Sequence, residues 1–300
     1  MTNNENTRFR DFIYRMQAFG LLILSKIFVL LGIRLSSFLI GTLFIIFGPL
    51  TKPSFLAMKN IKKVMPNLTF LQRFKIVLGM WNNLGRDLAE FIGFHSLKNE
   101  DFLKYINIDD ESIKILEKIK NDNNGGIICT AHFGNWEIFS NVFRQYNIPI
   151  SAVYRNLNNK YADDIVLKAR AKSNLEMIPK GQKGVIKLAR SLKSGKKILM
   201  LVDQRLNNGI TVPFFNIPSK TTDAPAIFAL KNGYKIYTAV VFRRSLSCFF
   251  DVRIEEFEVI NTGNFQEDVE KTTEKINKKI EEWIKLKPEQ WFWVHNRWKE

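Results

Sequence analysis

Apolar and polar positions change rhythm along this 300-residue chain. Residues 18–50 read AFGLLILSKIFVLLGIRLSSFLIGTLFIIFGPL, two apolar runs broken by Lys26 and Arg34. The second, Leu35 to Thr51, holds 17 positions without a charge, the short end of what a spanning helix needs. A cleaved signal peptide does not fit, because apolar sequence runs past any h-region and no A-x-A site follows. The pattern predicts a membrane anchor, spanning the bilayer or lying in its interface, with a buried helix pair of a soluble fold as the alternative. Residues 1–52 are therefore set apart as an anchor segment and 53–300 as a second domain.

Beyond the anchor the spacing turns amphipathic. Trp81 to Phe94 repeats apolar residues at Trp81, Leu84, Leu88, Phe91 and Ile92, a helical period. Arg86 and Glu90 sit four apart on it and predict a simple ion pair along the helix. Glu111 to Asn121 reads as another helix. After Gly125-Gly126 the chain alternates. Strands are predicted at Gly126–Thr130, Ile150–Tyr154, Leu175–Ile178 and Lys197–Val202. Helices are predicted at Trp136–Tyr146, Lys160–Ser173 and Gln182–Ser194. The alternation argues for a mostly parallel α/β sheet flanked by helices, and the uninterrupted KILMLV run suits a strand buried on both faces. Tyr234–Phe242 and Cys248–Ile254 extend the sheet as a hairpin, and a long amphipathic helix, Phe265 to Leu286, precedes an aromatic tail.

Composition narrows the partners. Lys and Arg number 45 against 29 Asp and Glu, a formal charge of +16. Such an excess favours nucleic acid, an anionic membrane or an acidic carrier protein. From Phe12 to Arg86 there is no Asp or Glu, while ten Lys or Arg fall in the same stretch. A basic segment beside an apolar one suits an anionic leaflet, at about 1 kcal/mol per well-placed cation. Nucleic acid is set aside, since no RNP-like, zinc-finger or helix-turn-helix signature is present. Residues 151–210 carry 13 Lys or Arg against 4 Asp or Glu, a surface suited to an acidic carrier and to phosphorylated lipid. Two cysteines, Cys129 and Cys248, exclude a disulfide scaffold. With three histidines, His95, His132 and His295, they leave little material for a zinc cluster, and no metal site is assigned.

The chemistry concentrates in Gly125–Phe139, GGIICTAHFGNWEIF. A predicted strand runs into His132, at the strand end where α/β sheets place their sites. Glu137 follows five residues on. In one regular helix those two point about 140° apart, so contact between them needs a turn, which Phe133-Gly134-Asn135 supplies. An imidazole, with an ordinary pKa of about 6.5, takes a proton from an alcohol near neutral pH, and a carboxylate on its other nitrogen fixes the tautomer. No serine or cysteine stands in an elbow motif, so the attacking hydroxyl belongs to a substrate. That points to acyl transfer. Backbone amides at Gly134 and Asn135, near a helix N-terminus, are candidate oxyanion donors.

HFGNWE, VYR at 153–155, DQR at 203–205, VPFF at 212–215, PEQWFWVHNRWK at 288–299 and WNNLGRDLAE at 81–90 together resemble the bacterial lipid A biosynthesis late acyltransferases. These are the lauroyl and myristoyl transferases among the His-x4-Asp/Glu acyltransferases, and the resemblance runs from about residue 8 to residue 299. It implies a glycerolipid-acyltransferase-like domain over 53–300, held at the cytoplasmic face of the inner membrane. It implies transfer of a fatty acyl group from acyl carrier protein, a co-substrate rather than a cofactor, to a hydroxyl on a 3-hydroxyacyl chain of a Kdo-modified lipid A precursor. By family pattern His132 is the general base and Glu137 its partner. Arg155 and Asp203-Gln204-Arg205 match positions near the family's site.

Arg155, ending a predicted strand, suits a substrate phosphate or the oxyanion, or else simply caps the strand. Asp203 ends KILMLV on the same sheet edge as His132. It is expected to orient Arg155 or Arg205, to bind a substrate hydroxyl, or to serve only in a turn. Val212–Phe215 and the loop to Thr222 are expected either to line an acyl channel or to pack in the core. Thr222 or Asp223 is expected to cap the helix beginning near Pro225. The four tail tryptophans, Trp283, Trp291, Trp293 and Trp298, are read as aromatic packing or interfacial seating. His295 is read as structural, and His95 has no evident role. Two rivals stand beside the lipid A reading: the same transfer to another phospholipid or glycolipid acceptor, and a non-catalytic membrane-surface module.

Overall fold

A computed structural model describes every residue except Met1, Lys98, Arg155, Asn174, Lys180 and Glu300. The chain opens with α1 (Thr2–Phe47), which breaks at Gly32, where φ is 75° and ψ 162°. The break frees the Phe28 carbonyl, and Ser36 Oγ donates to it at 3.1 Å. A 3-10 turn leads to α2 (Lys52–Val64) and then α3 (Phe70–Phe94). Thr69 and Gln72 form a capping box at the start of α3, each side chain accepting from the other's backbone N–H. The second half of α1 crosses α3 closely, through small residues. A Cβ on Gly41 would come within 2.8 Å of the Arg86 side chain, and one on Gly85 within 2.7 Å of the Ile40 carbonyl.

From residue 126 the remaining elements alternate as the apolar spacing predicts, apart from residues 210–221, while a short helix and strand before residue 109 lie where none is predicted. In chain order the elements are α4 (Asn99–Leu103), β1 (Ile106–Ile108), α5 (Asp110–Asn121), β2 (Gly126–Thr130), α6 (Phe139–Gln145) and β3 (Ile150–Tyr154). Then follow α7 (Lys160–Ala171), β4 (Leu175–Pro179), α8 (Gln182–Lys193) and β5 (Lys197–Leu201). The chain ends with β6 (Ile210–Phe214), β7 (Ile217–Thr221), α9 (Ala224–Asn232), β8 (Lys235–Arg243), β9 (Phe250–Phe257) and α10 (Phe265–Leu286).

Seven strands form one sheet in the order β1-β9-β8-β2-β5-β3-β4. β8, β2, β5, β3 and β4 are parallel, β9 returns antiparallel to β8 as the expected hairpin, and β1 runs alongside β9. The sheet is thus mostly parallel and flanked by helices. Every residue of the central β2 is buried, which is why GIICT carries no alternation. One core on the sheet takes Val77, Trp81, Ile276, Trp283, Trp291 and Trp298. The other takes Phe94, Phe139, Phe143, Ile150 and Phe250. α3 contributes to both, and so overlies the sheet edge where the first crossovers begin.

Two elements differ from the sequence reading. Val212–Phe215 and the loop after it form the two-stranded β6–β7 hairpin, with Phe215 and Asn216 both at positive φ in its turn. Phe214 is fully buried and stacks on Trp298, so the core-packing alternative describes it. Arg86 and Glu90 do not pair with each other as expected. Arg86 donates to Asn82 and Ser37, and Glu90 accepts from Arg243. At α9, Asp223 occupies the cap position without a side-chain bond, while Thr222 Oγ1 accepts from the Ala224 N–H at 3.5 Å.

Candidate active site

Parallel pairing builds the site. β2 and β5 are neighbours in register, with Thr130 opposite Leu201, and the Val202 N–H donates to the Thr130 carbonyl at 3.0 Å. His132 and Asp203 each lie two residues beyond those paired ends, so the register sets them side by side. Asp203 accepts from the His132 backbone N–H at 3.0 Å, from His132 Nδ1 at 2.9 Å and from Trp291 Nε1 at 2.8 Å. A carboxylate at Nδ1 holds the ring proton there, which leaves the Nε2 lone pair free to accept a proton.

Asp203 is almost wholly buried, whereas the His132 side chain keeps 22% of its surface open. Burial alone would raise the Asp203 pKa, but the His132 charge and the hydrogen bonds outweigh it and hold the carboxyl below the ordinary carboxylate value. The ring is held from several sides. Trp136 meets it edge-on at 5.1 Å between centroids, and Phe292 lies 6.2 Å away. The Phe292 N–H also donates to the His132 carbonyl at 3.1 Å. Gln204 reaches 3.4 Å from Nε2, on the open side of the ring.

The turn after His132 is locked from below. Gly134 has φ 56°, and a Cβ there would stand 1.8 Å from the Val241 carbonyl, so only glycine fits. Its carbonyl accepts from Asn83 Nδ2 at 2.8 Å. Its N–H donates to the Gln290 carbonyl at 2.9 Å, which corrects the expectation that this amide is free for an oxyanion. Asn135 is completely buried, and its side chain donates to Glu90 Oε2 at 2.8 Å. Glu90 and Asp87 together hold Arg243, with Arg243 Nη2 2.9 Å from Glu90 Oε2, and Arg243 Nε donates to Asn83 at 2.8 Å. This buried ion cluster connects α3, β8 and the turn. Mutual attraction across low dielectric keeps Arg243 firmly charged against its burial.

Glu137 is placed differently from the sequence expectation. It lies in the 3-10 turn Trp136–Ile138 and turns toward α7, where Arg170 forks onto it at 2.6 and 3.3 Å. Arg170 in turn lies over the Tyr154 ring at 5.0 Å. The carboxylate on His132 is therefore Asp203, because the neighbouring strand end fills the Nδ1 position. Asp203 spends its oxygens on His132 and Trp291, and does not orient Arg205. The Arg205 backbone N–H instead donates to His295 Nε2 at 2.9 Å, and its guanidinium bonds the Lys299 carbonyl. Arg155 lies outside the described residues. His95 donates from Nδ1 to the Phe91 carbonyl at 2.7 Å, within its own helix end. Among the described residues no three His, Cys, Asp or Glu side chains gather as a metal-binding set.

Two participants were given no site role in the sequence. Trp291 stands in a tail read as aromatic packing or interfacial seating, yet its indole N–H anchors Asp203. Arg170 sits in an ordinary basic helix turn, and only the folded path of α7 brings it to Glu137.

Comparison with known proteins identifies the family. The profile of bacterial lipid A biosynthesis acyltransferases matches residues 3–300. A lipid A biosynthesis palmitoleoyltransferase of Escherichia coli (strain K12) is 25% identical over 247 residues, covering 81% of this chain and 78% of that protein. A lipid A biosynthesis acyltransferase of Shigella flexneri is similar to the same extent. A lipid A biosynthesis lauroyltransferase of Escherichia coli (strain K12) is 23% identical over 245 residues, covering 80% of this chain and 77% of that protein. With a match over nearly its whole length and an imidazole–carboxylate pair on the sheet edge, the chain belongs to the family of bacterial lipid A biosynthesis acyltransferases.

Proposed function

We propose that this enzyme transfers a fatty acyl group from the thioester of acyl carrier protein to a hydroxyl on a 3-hydroxyacyl chain of a Kdo-modified lipid A precursor. It does so at the cytoplasmic face of the inner membrane, without a cofactor. The observation that carries the reading is Asp203 on His132 Nδ1, which leaves Nε2 as a base on the open side of the ring.

In this mechanism His132 Nε2 takes the proton of the acceptor hydroxyl as its oxygen attacks the thioester carbon. The tetrahedral intermediate collapses by breaking the C–S bond, and the departing sulfur takes the proton back from the imidazolium. The products are the ester and the free carrier thiol. Asp203 steadies the imidazolium, a charge that exists only along the reaction path. Gln204, beside Nε2, is suited to contact the attacking hydroxyl or the oxyanion. Glu137 acts one step away, fixing the turn to α7 through Arg170. Arg205, just beyond β5, adds positive charge for phosphate on the acceptor or the carrier, and Arg155 keeps the same role as a proposal from the sequence. Both co-substrates are anionic, which fits the local excess of 13 cations over 4 acids in residues 151–210.

The decisive assay offers purified enzyme a panel of acyl carrier protein thioesters and the Kdo-modified precursor, with products read by mass spectrometry. His132→Ala should remain folded and lose about 10²–10⁴ in transfer rate. Full activity in that variant would end the general-base assignment.

A further inference from the structure

The long apolar helix α1 is tied to the rest of the protein at both ends. Near its start, Asp11 accepts from Tyr161 at 3.1 Å and pairs with Lys160 at 2.9 Å. Asn159 Nδ2 donates to the Tyr14 carbonyl at 2.9 Å and to Gln17 at 3.0 Å. Beyond the Gly32 break, Ser37 donates to Glu90 at 2.7 Å and accepts from Arg86 at 3.0 Å. The partners at the first end belong to α7 and those at the second to α3, both parts of the domain that holds the site. Between the ties, one stripe faces inward: Tyr14, Ala18, Leu21, Ser25 and Phe28 are buried or half-buried. The opposite stripe, Phe12, Met16, Phe19, Ile23, Ile27 and Leu30, is exposed throughout, with Leu30 86% open. Both stripes step by three and four residues, so they are the two faces of one helix lying against the domain.

A helix from Tyr14 to Ile33 is about 28 Å long, close to the hydrocarbon thickness of a bilayer. If it crossed, its two ends would lie on opposite sides of the membrane. The tied domain would then have to stand beside it, carrying Lys160, Asp163 and Asn159 to the far side or into the hydrocarbon. Charges there are strongly disfavoured. We propose instead that α1 lies flat in one leaflet, with its exposed apolar stripe among the acyl chains and anionic headgroups around it. Exposed Lys26 reaches sideways to the headgroups from such a helix, while Arg15 bonds Asp11 and Arg34 lies over the Phe249 ring of the domain. The absence of any acid from Phe12 to Arg86 matches the negative leaflet, as do Lys52, Lys59 and Lys62 on the exposed face of α2 beside Phe55. α2 bonds through Asn60 Nδ2 to the carbonyls of Trp293 and His295, in the tail that walls His132. A flat seat therefore brings the reactive ring near the lipid surface.

The inference rests on the membrane seat proposed above, and its test separates the two. Arg10→Cys and Lys52→Cys are made singly in the full chain and expressed in a Gram-negative host; Cys129 and Cys248 are buried. A membrane-impermeant maleimide is added with the outer membrane opened, before and after the inner membrane is broken. Both positions should react only after it is broken. Labelling of residue 10 while it is intact means a crossing helix and overturns the proposal. Bimane placed singly at Met16→Cys, Ile23→Cys and Leu30→Cys, in phosphatidylcholine–phosphatidylglycerol vesicles with doxyl lipids, should report one shallow depth at all three. A gradient with residue 23 deepest overturns it as well. Recovery of the whole protein in the soluble fraction would overturn the membrane seat while leaving the His132–Asp203 chemistry standing.

Discussion

A carboxylate that stays ionised while covered needs its charge answered at every oxygen. Asp203 meets that condition with a backbone N–H, an imidazole and an indole. Asp203→Asn keeps the shape but presents an amide to Nδ1, which favours the wrong ring tautomer. Transfer should fall by roughly 10² or more, with circular dichroism unchanged. The same residue gives an acid limit to stability. Its native pKa is held below the ordinary value, so the unfolded chain protonates first as the pH falls below about 4. Its stabilisation is complete above that range and disappears as the pH approaches the native value. In urea titrations, Asp203→Asn should lose less stability than wild type between neutral and acid pH. The sequence marks His132 well, because an apolar run ending in a histidine is visible locally. Its carboxylate is not visible locally. Glu137 is near in sequence, but the 3-10 turn aims it at Arg170. Asp203 becomes the partner only once strand order is known, and Trp291 only once the tail is folded over the strand ends.

Elements hold the reactive turn through the ion cluster under it. Arg243, from the end of β8, is fully buried and answers Asp87 and Glu90 from α3, while Glu90 also holds Asn135 of the turn. Arg243→Met leaves two buried acids without their cation. It should destabilise the fold by about 3–5 kcal/mol, read as a lowered midpoint in thermal or urea unfolding. A loss under about 1 kcal/mol would mean that water enters the cluster and answers the charges. The second part of α3, from Trp81, is legible from its apolar period though its start at Phe70 is not, and most strand and helix limits after residue 125 are legible too. The pairing of its charges is not, since spacing along one helix favours Arg86 with Glu90 while tertiary contact with β8 wins. The β6–β7 hairpin escapes for another reason: Pro213, Pro218 and polar Ser219 and Lys220 hide a short strand pair that has its own two-stranded sheet.

Across the whole molecule, charge is sorted. The stretch from Phe12 to Arg86 lacks acids, and residues 151–210 carry a local excess of nine positive charges, 13 less 4. Exposed charge acts mainly on encounter and is screened over about 8–10 Å in ordinary salt. Raising sodium chloride from 50 to 300 mM should therefore raise KM for the acidic carrier thioester severalfold with little change in kcat. An equal fall in kcat would move the salt effect from encounter to the chemical step. Charge reversal at exposed Lys168 and Lys193 should reproduce the effect of salt at low ionic strength.

The His132–Asp203 pair draws its two members from positions 71 residues apart, brought together at neighbouring strand ends. During synthesis the ribosome delivers the histidine first, and that side chain has no carboxylate neighbour until the polypeptide has grown to the aspartate and β5 has slotted between its neighbours. The tryptophan that steadies the acid follows 88 residues after it. A chain that has not yet reached Asp203 and Trp291 therefore lacks both the carboxylate on Nδ1 and the indole that holds it.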